Sequence, residues 1–108
     1  MQIDDGGMME TLKGSQRKHL RGLAHSYKPV VQIGKEGLTD AVVTAIDDAI
    51  SARELIKVKI TGERDDRAAM VPVIEERLEC ECVGTIGHIA ILYRRNPDPE
   101  HRVVELPD

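Results

Sequence analysis

The sequence predicts a small α/β domain with the element order α-β-α-β-α-β-β and a four-stranded mixed sheet. Short apolar runs alternate with longer segments whose apolar residues recur at helical spacing. This alternation favours strand–helix–strand units with parallel pairing. The last two apolar runs are separated only by a tight turn around Gly87, which indicates an antiparallel hairpin. The chain has 108 residues, a length that suits one domain with one modest core.

The first helix and the first strand lie close together in the sequence. Residues 15–27 predict a helix, with Ser15 as its N-cap and Pro29 as the residue that stops it. The run VVQI, residues 30–33, then predicts a short strand. On a helical wheel the apolar residues of the helix gather on one side, and an adjacent arc holds the basic residues Arg17, Lys18, Arg21, His25 and Lys28. The helix therefore has one side for the core and a cationic side for another partner.

Two more helices and three more strands complete the domain. Thr39 is the expected cap of a second helix that extends to about residue 52. The run LIKVKI, residues 55–60, alternates as a half-buried strand does, with Lys57 and Lys59 facing away from the three apolar β-branched residues. A third helix is expected over residues 67–79, where Pro72 would introduce a kink or mark a late start. The remaining segments are two strands at residues 82–87 and 88–94, a flexible tail at residues 1–11 and a C-terminal tail at residues 96–108, which leaves residues 12–95 as the domain.

The basic residues are concentrated in one part of an acidic chain. The formal net charge is −4, yet residues 13–37 contain six Lys or Arg residues and only one acidic residue, Glu36. Such a local block says more about partners than the total charge does. If the first helix packs beside the start of the second, its basic residues and Lys35 form one patch. Lys57 and Lys59 extend this patch if their side of the sheet stays uncovered.

The composition excludes several kinds of protein. There is no Phe or Trp and only two Tyr, so the core is aliphatic and stacking of bases on several aromatic rings is excluded. Cys80 and Cys82 are the only cysteines, and their spacing, with no third cysteine nearby, suits small thiols in a reducing compartment better than a disulfide or a zinc site. We find no signal peptide and no long apolar span. The sequence therefore predicts a cytoplasmic protein with no cofactor, no metal and no membrane partner.

The stretch GKEG, residues 34–37, lies between a predicted strand and a predicted helix, and three interpretations of it compete. In the first, both glycines serve only the backbone, each supplying φ values that other residues disfavour. The second, a nucleoside-triphosphate loop, fails because that motif needs Gly at position 29 and Ser or Thr at position 36, where Pro29 and Glu36 stand. The third is a backbone clamp for nucleic acid. Without Cβ atoms a phosphate chain can approach closely, and the helix N-terminus together with Lys35 adds positive charge.

Four motifs together resemble a known family. They are LxGxxR at the start, AHxxKPVVQIGKxGLT around the loop, ARELIKVK, and IGxxxILYR near the end. This combination is similar to the CRM domain, the RNA-binding module of chloroplast splicing factors and of small bacterial and archaeal YhbY proteins. The resemblance covers about residues 12–95. It implies a fold similar to the C-terminal domain of translation initiation factor three, with an added helix, and association of single-domain members with large-subunit ribosome precursors.

The resemblance also implies RNA binding through the GxxG loop and neighbouring basic residues. Matched to this sequence, these positions are Gly34, Lys35, Glu36, Gly37, Arg17, Lys18, Arg21, His25 and Lys28. The leading hypothesis is a non-catalytic protein, monomeric in isolation, that binds structured large-subunit ribosomal RNA mainly through phosphates.

Two other functions remain open at the level of sequence. The acidic residues of the second and third helices, Asp47, Asp48, Glu75 and Glu76, would instead serve a module that docks on a ribosomal or RNA-processing protein. Enzymatic activity would have to use the histidines His19, His25, His88 and His101, but no catalytic arrangement can be assembled around them from sequence. The sequence therefore predicts that the protein is not an enzyme.

Overall fold

The structure is a computed structural model that describes residues 12–107. The predicted order of elements and the four-stranded mixed sheet are confirmed. The helices are α1 (Gly14–Ala24), α2 (Asp40–Arg53) and α3 (Arg64–Leu78), and a short 3₁₀ turn covers Pro99–His101. The strands are β1 (Pro29–Ile33), β2 (Leu55–Ile60), β3 (Glu81–Ile86) and β4 (Ile89–Tyr93). The predicted N-terminal tail lies outside the described residues.

The sheet has the strand order β1-β2-β4-β3. β1 and β2 pair in parallel, as expected for two strands joined through a helix. β4 then lies between β2 and β3 and is antiparallel to both. The hairpin turn places Gly87 at a φ of +58°, and a positive φ at the first turn position suits a two-residue hairpin. The topology therefore leaves β1 and β3 as the two outer strands.

Both faces of the sheet carry helices. α2 and α3 pack on one face over the larger apolar cluster, which includes Ile56, Val58 and Ile60 of β2. α1 packs on the other face over a smaller cluster that contains Leu20 and Leu55. The alternation predicted for LIKVKI is confirmed, because the side chains that alternate with the larger cluster point toward the face of α1.

The boundaries of α1 differ from the prediction at both ends. The N-cap is Lys13 rather than Ser15, and the Gln16 side chain accepts a hydrogen bond from the Lys13 amide at 2.8 Å. A glutamine at the third helical position can close the first turn in this way, so the helix begins before Ser15. It ends at Ala24, not Tyr27. The predicted cap of α2 is confirmed, since the Thr39 hydroxyl accepts from the Val42 amide at 3.2 Å.

Helix α3 begins three residues earlier than predicted and continues through Pro72. Its first turn contains Asp65 and Asp66, whose charges suit the positive end of the helix dipole. Pro72 lies on the exposed side of the helix, where water can satisfy the carbonyl that loses its amide partner. The helix ends at Leu78, and Glu79 follows with a left-handed φ of +53°. Pro72 therefore neither delays the helix nor ends it.

Residues 96–107, which the sequence analysis separates from the domain as a tail, lie against α1 and β2. Val104 and Leu106 pack on the apolar cluster beneath α1. The Gln16 side chain donates to the Pro107 carbonyl at 2.9 Å, and the His19 ring lies 3.0 Å from the Glu105 carbonyl oxygen. We call residues 96–107 the C-terminal segment. It lies on the same face of the sheet as α1 and covers one flank of that helix.

A buried carboxylate holds the C-terminal segment. Glu54 closes α2 with a φ of +66° and is fully buried. Its two carboxylate oxygens accept hydrogen bonds from the amides of Asn96, Val103 and Val104 at 2.6, 2.7 and 2.9 Å. A buried charge is tolerated only when such donors replace water. Glu54 therefore connects the end of α2 to two separate points of the C-terminal segment.

No helix among residues 12–107 is long and apolar enough to cross a lipid bilayer. The two cysteines are free and buried beside the larger cluster. Loss of hydration on burial raises the pKa of the Cys80 thiol to about 12, and burial likewise raises the pKa of Cys82. Both thiols therefore stay neutral at physiological pH, which makes them poor nucleophiles.

We predict that Glu54→Ala lowers the free energy of unfolding by roughly 2–4 kcal/mol, because three part-buried amides lose their acceptor. Urea denaturation measures the loss, and hydrogen exchange should show the amides of Asn96, Val103 and Val104 opening before the sheet. The control is Glu105→Ala, an exposed carboxylate in the same segment. Equal losses in the two variants would contradict an anchoring role for Glu54.

We also predict that stability falls as the pH rises from about 9 toward about 12. The unfolded chain releases its thiol protons near the ordinary cysteine pKa of 9.0, whereas folded Cys80 keeps its proton up to a pKa of about 12, so unfolding is increasingly favoured above the lower value. Urea denaturation at several pH values measures this slope. A Cys80→Ala/Cys82→Ala variant should show a flatter decline, and an identical decline would show that other groups cause it.

Candidate nucleic-acid interface

The GKEG loop is a tight turn that exposes its two charged residues. It begins where β1 ends, and the Gly37 amide donates to the Gly34 carbonyl at 3.0 Å. This bond closes the turn and leaves Lys35 and Glu36 exposed at its tip. The Thr39 cap then starts α2, so the amides of the first helical turn that lack a partner within the helix lie near the loop.

The two glycines of the loop have different structural roles. Gly37 has a φ of +73°, a conformation that side-chain-bearing residues disfavour, and a Cβ there would lie 3.6 Å from Met70 Cε. Gly34 has no such φ, and a Cβ built on it meets no atom within 4 Å among the described residues. The interpretation that both glycines serve only the backbone therefore holds for Gly37 and not for Gly34. At Gly34 the missing side chain leaves bare backbone on the surface.

Helix α1 covers only part of its sheet face. Beyond its flank the sheet pairings place Gln32, Lys59, Ile89 and Ile86 side by side in one row across all four strands. Gln32, Lys59 and Ile86 are exposed, and Ile89 is half-buried. We call these four residues the open face. Because Gln32 is followed by Ile33 and then the GKEG loop, the open face reaches the loop at its β1 corner.

Arg17 and Arg21 connect α1 to β3. Arg17 forms an ion pair with Glu81 and donates to the Cys82 carbonyl at 2.8 Å. Arg21 donates to the Val83 carbonyl at 2.9 Å. Its side chain lies directly over Gly84, where a Cβ would come within 2.7 Å of Arg21 Cδ. The predicted cationic arc is therefore partly engaged inside the domain, a role that the sequence analysis missed.

The two lysines of β2 also differ. Lys57 is half-buried, and its ammonium group donates to the carbonyls of His25 and Tyr27 at 3.2 and 3.1 Å. It thereby satisfies backbone groups at the end of α1, where a cation suits the helix dipole. Lys59 is exposed and takes part in no ion pair within residues 12–107. Of the two lysines, only Lys59 adds free charge to the open face.

The remaining predicted residues are exposed. They are Lys18, His25, Lys28 and Lys35, and none takes part in an ion pair in the described part of the chain. On the wheel, His25 follows Arg21 by one turn on the flank of α1 that faces β3. The structure does not place α1 beside the start of α2, since the helices lie on opposite faces of the sheet. No groove between the two helices therefore joins the basic residues into one patch.

The sheet separates charge of opposite sign. α1 carries three basic residues and no acidic residue, whereas α2 carries three acidic residues against Arg53. α3 and its two caps add six acidic residues to three arginines. The face of α1 is thus positive and the opposite face is negative, which a net charge of −4 conceals. Among residues 12–107, no three His, Cys, Asp or Glu side chains meet in a way that could hold a metal ion.

Comparison with known proteins adds a family and several relatives. The family model of the CRS1 / YhbY (CRM) domain matches residues 12–94. The chain is 40% identical over 100 residues to a Haemophilus influenzae protein named RNA-binding protein, covering 92% of this chain and 98% of that one. It is 34% identical over 97 residues to Bacillus subtilis YqeI, named a probable RNA-binding protein, covering 89% and 99%. The solution structure of Staphylococcus aureus SAV1595 matches with a TM-score of 0.76 at 36% identity, covering 90% of this chain and 100% of that one.

We predict that Gly37→Ala and Gly34→Ala have opposite effects on stability. Alanine at position 37 must adopt the left-handed φ, which costs about 1–2 kcal/mol. Alanine at position 34 meets no described neighbour, so stability should be unchanged or raised by up to about 1 kcal/mol. Thermal denaturation of both variants tests this difference, and equal destabilisation would mean that Gly34 is also required by the turn.

Proposed function

Because the chain belongs to the CRS1 / YhbY (CRM) domain family, we propose that it binds RNA, as the names of its relatives indicate for those proteins. The observation that supports this proposal most directly is the charge separation across the sheet. The only face with an excess of exposed basic residues in the described chain is the one that also holds the open face and borders the GKEG loop. A polyanion is attracted to that face and repelled from the other.

In this proposal the loop contacts the RNA backbone. At Gly34 a phosphate or ribose can approach the main chain closely, because the missing side chain leaves open space. Lys35 supplies a mobile cation at the turn, and the first amides of α2 supply partial positive charge. Glu36 repels phosphate from its own side of the turn. The RNA backbone should therefore contact the loop at Gly34 and Lys35, away from the carboxylate of Glu36.

We further propose that the RNA is structured and belongs to the large ribosomal subunit or its precursor, that the protein binds it as a monomer in the cytoplasm, and that it does not act as an enzyme. The family resemblance supports the first point. Three of the four histidines considered for catalysis have local partners: His19 and His88 contact backbone carbonyls, and His101 contacts Asp98. These contacts suit structural or surface roles.

The docking alternative has less support. Two of its four acidic residues have partners inside the domain, since Asp47 forms an ion pair with Arg94 at 2.8 Å and Glu75 accepts from the Cys82 amide at 2.8 Å. Asp48 and Glu76 remain exposed. Two exposed carboxylates on separate helices are an ordinary solvated surface, so we do not propose a docking function for them.

We predict that Lys35→Ala/Lys59→Ala weakens binding to large-subunit ribosomal RNA fragments and makes it less dependent on salt. Each lysine that neutralises a phosphate contributes roughly 0.7–0.9 to the slope of log affinity against log salt, so the double variant should lose about 1.4–1.8 of that slope. Fluorescence anisotropy over a series of salt concentrations measures both quantities.

The matched control is Arg64→Ala/Arg77→Ala, which removes the same charge from α3 on the opposite face of the sheet. It should change the affinity and the slope much less. Equal effects in the two double variants would indicate attraction by net charge alone. An unchanged Lys35→Ala/Lys59→Ala variant would place the binding surface elsewhere.

A further inference from the structure

A concave site lies at the opposite end of β1 from the GKEG loop. It has a volume of about 280 Å³ and is formed where the connection between α1 and β1, the first residues of β1 and β2, the end of α2 and the C-terminal segment meet. Its lining consists of Tyr27, Lys28, Val30, Ala52, Arg53, Leu55 and Val103. This volume is near the lower end for small-molecule sites, so it suits one ring system better than a larger ligand.

Tyr27 presents an aromatic ring at this cavity. The side chain is 40% exposed, whereas Tyr93 is buried to 1% exposure. Tyr27 therefore provides the accessible aromatic ring on the part of the surface that the structure describes, and the sequence contains no Phe or Trp. Lys57 holds the backbone of Tyr27 in place by donating to its carbonyl at 3.1 Å. A ring that is held by its backbone and open on one side loses little freedom when another flat group stacks on it.

The charges around the cavity select the kind of ligand. Lys28 and Arg53 line it, and of the described residues that line it none is acidic. The cations therefore attract a polyanion to this region. Arg53 stands in the last turn of α2, however, and the C-terminal end of a helix carries partial negative charge. Because the rest of the lining is apolar or aromatic, the cavity itself suits an uncharged, flat group with polar edges.

The cavity is continuous with the proposed RNA surface. Tyr27 precedes Gly34 by seven residues, most of them in β1, so the cavity and the GKEG loop lie up to about 23 Å apart along the extended chain. Val30 lines the cavity and is 40% exposed, and Gln32, two residues further along the same side of β1, is exposed and belongs to the open face. A short stretch of single-stranded RNA can span this distance while its backbone contacts the loop, since comparable GxxG loops hold about four nucleotides.

We propose that this cavity holds one unpaired nucleobase of the bound RNA, stacked on Tyr27 between Lys28 and Arg53, with Val30 and Val103 as its apolar walls. The inference rests on the proposed RNA-binding function and adds to it a preference for RNA with an unpaired segment. Recognition by one ring is consistent with the small number of aromatic residues, because a single stacked base needs only one.

The test compares the wild-type protein with Tyr27→Leu and Tyr27→Phe. The probes are a fluorescein-labelled large-subunit stem–loop RNA with an unpaired loop, the same RNA with abasic nucleotides in the loop, and a fully paired duplex of equal length. Tyr27→Leu keeps apolar bulk but removes the ring, so affinity for the stem–loop should fall about tenfold, within the range for a lost base stack. Tyr27→Phe should bind as the wild type does, and Tyr27→Leu should not change affinity for the abasic RNA or the duplex.

Intrinsic tyrosine fluorescence gives a second readout. The chain has no tryptophan, so quenching of its emission by the unlabelled stem–loop, but not by the abasic RNA, reports stacking on the exposed tyrosine. The control variant is Val73→Ala, which truncates an exposed apolar residue of α3. Circular dichroism melts of all variants establish that they are folded.

The outcomes separate this inference from the function on which it rests. If the wild type binds the stem–loop while Tyr27→Leu binds equally well and the tyrosine emission is unchanged, the base site is wrong and the RNA-binding function stands. If Tyr27→Leu weakens binding to the duplex and to the abasic RNA by the same factor, Tyr27 makes a backbone contact and the stacked base is again excluded. If the wild type binds none of the RNAs, both the function and the inference fail.

Discussion

The buried carboxylate of Glu54 is the interaction on which most of the α1 side of the molecule depends. The residue stands between the end of α2 and the start of β2, and its carboxylate accepts from the amides of Asn96, Val103 and Val104. These bonds hold the C-terminal segment, which in turn packs Val104 and Leu106 beneath α1. The position of α1 over the sheet is thus determined partly from the far end of the chain. A charged group can occupy such a place only because amides replace the water that it loses.

By holding the C-terminal segment, Glu54 also affects both proposed contact surfaces. The C-terminal segment supplies Val103 to the cavity beside Tyr27, and it contacts the flank of α1 opposite to the one that faces the open face, through Gln16 and His19. One flank of α1 is therefore closed by the chain itself, while the flank with Arg21 and His25 borders exposed sheet. This asymmetry directs the free basic residues toward a flat surface with a loop at one corner and a cavity at the other. Such a layout suits an extended ligand better than a compact one.

Local patterns in the sequence predicted much of this architecture. The alternation in β2, the cap at Thr39 and the turn at Gly87 each depend on neighbouring residues, so period and turn chemistry sufficed. The roles of Arg17 and Arg21 could not be predicted in this way, because their acceptors on β3 lie more than 60 residues along the chain. Helical spacing marks such arginines only as polar. A glycine at position 84, beneath Arg21, was the available signal, and it has meaning only once the two elements are known to meet.

The two arginines have one more effect, which concerns how the molecule avoids other copies of itself. β3 is the last strand of the sheet, and a terminal strand with unpaired backbone groups is a template for intermolecular β-sheet growth. On β3 the carbonyls of Cys82 and Val83 are occupied by Arg17 and Arg21, and the Cys82 amide is occupied by Glu75. At the other border, β1 begins with Pro29 and has an irregular register beside it, both of which disfavour pairing with a new strand. The same basic helix that borders the open face thus also protects the sheet against aggregation.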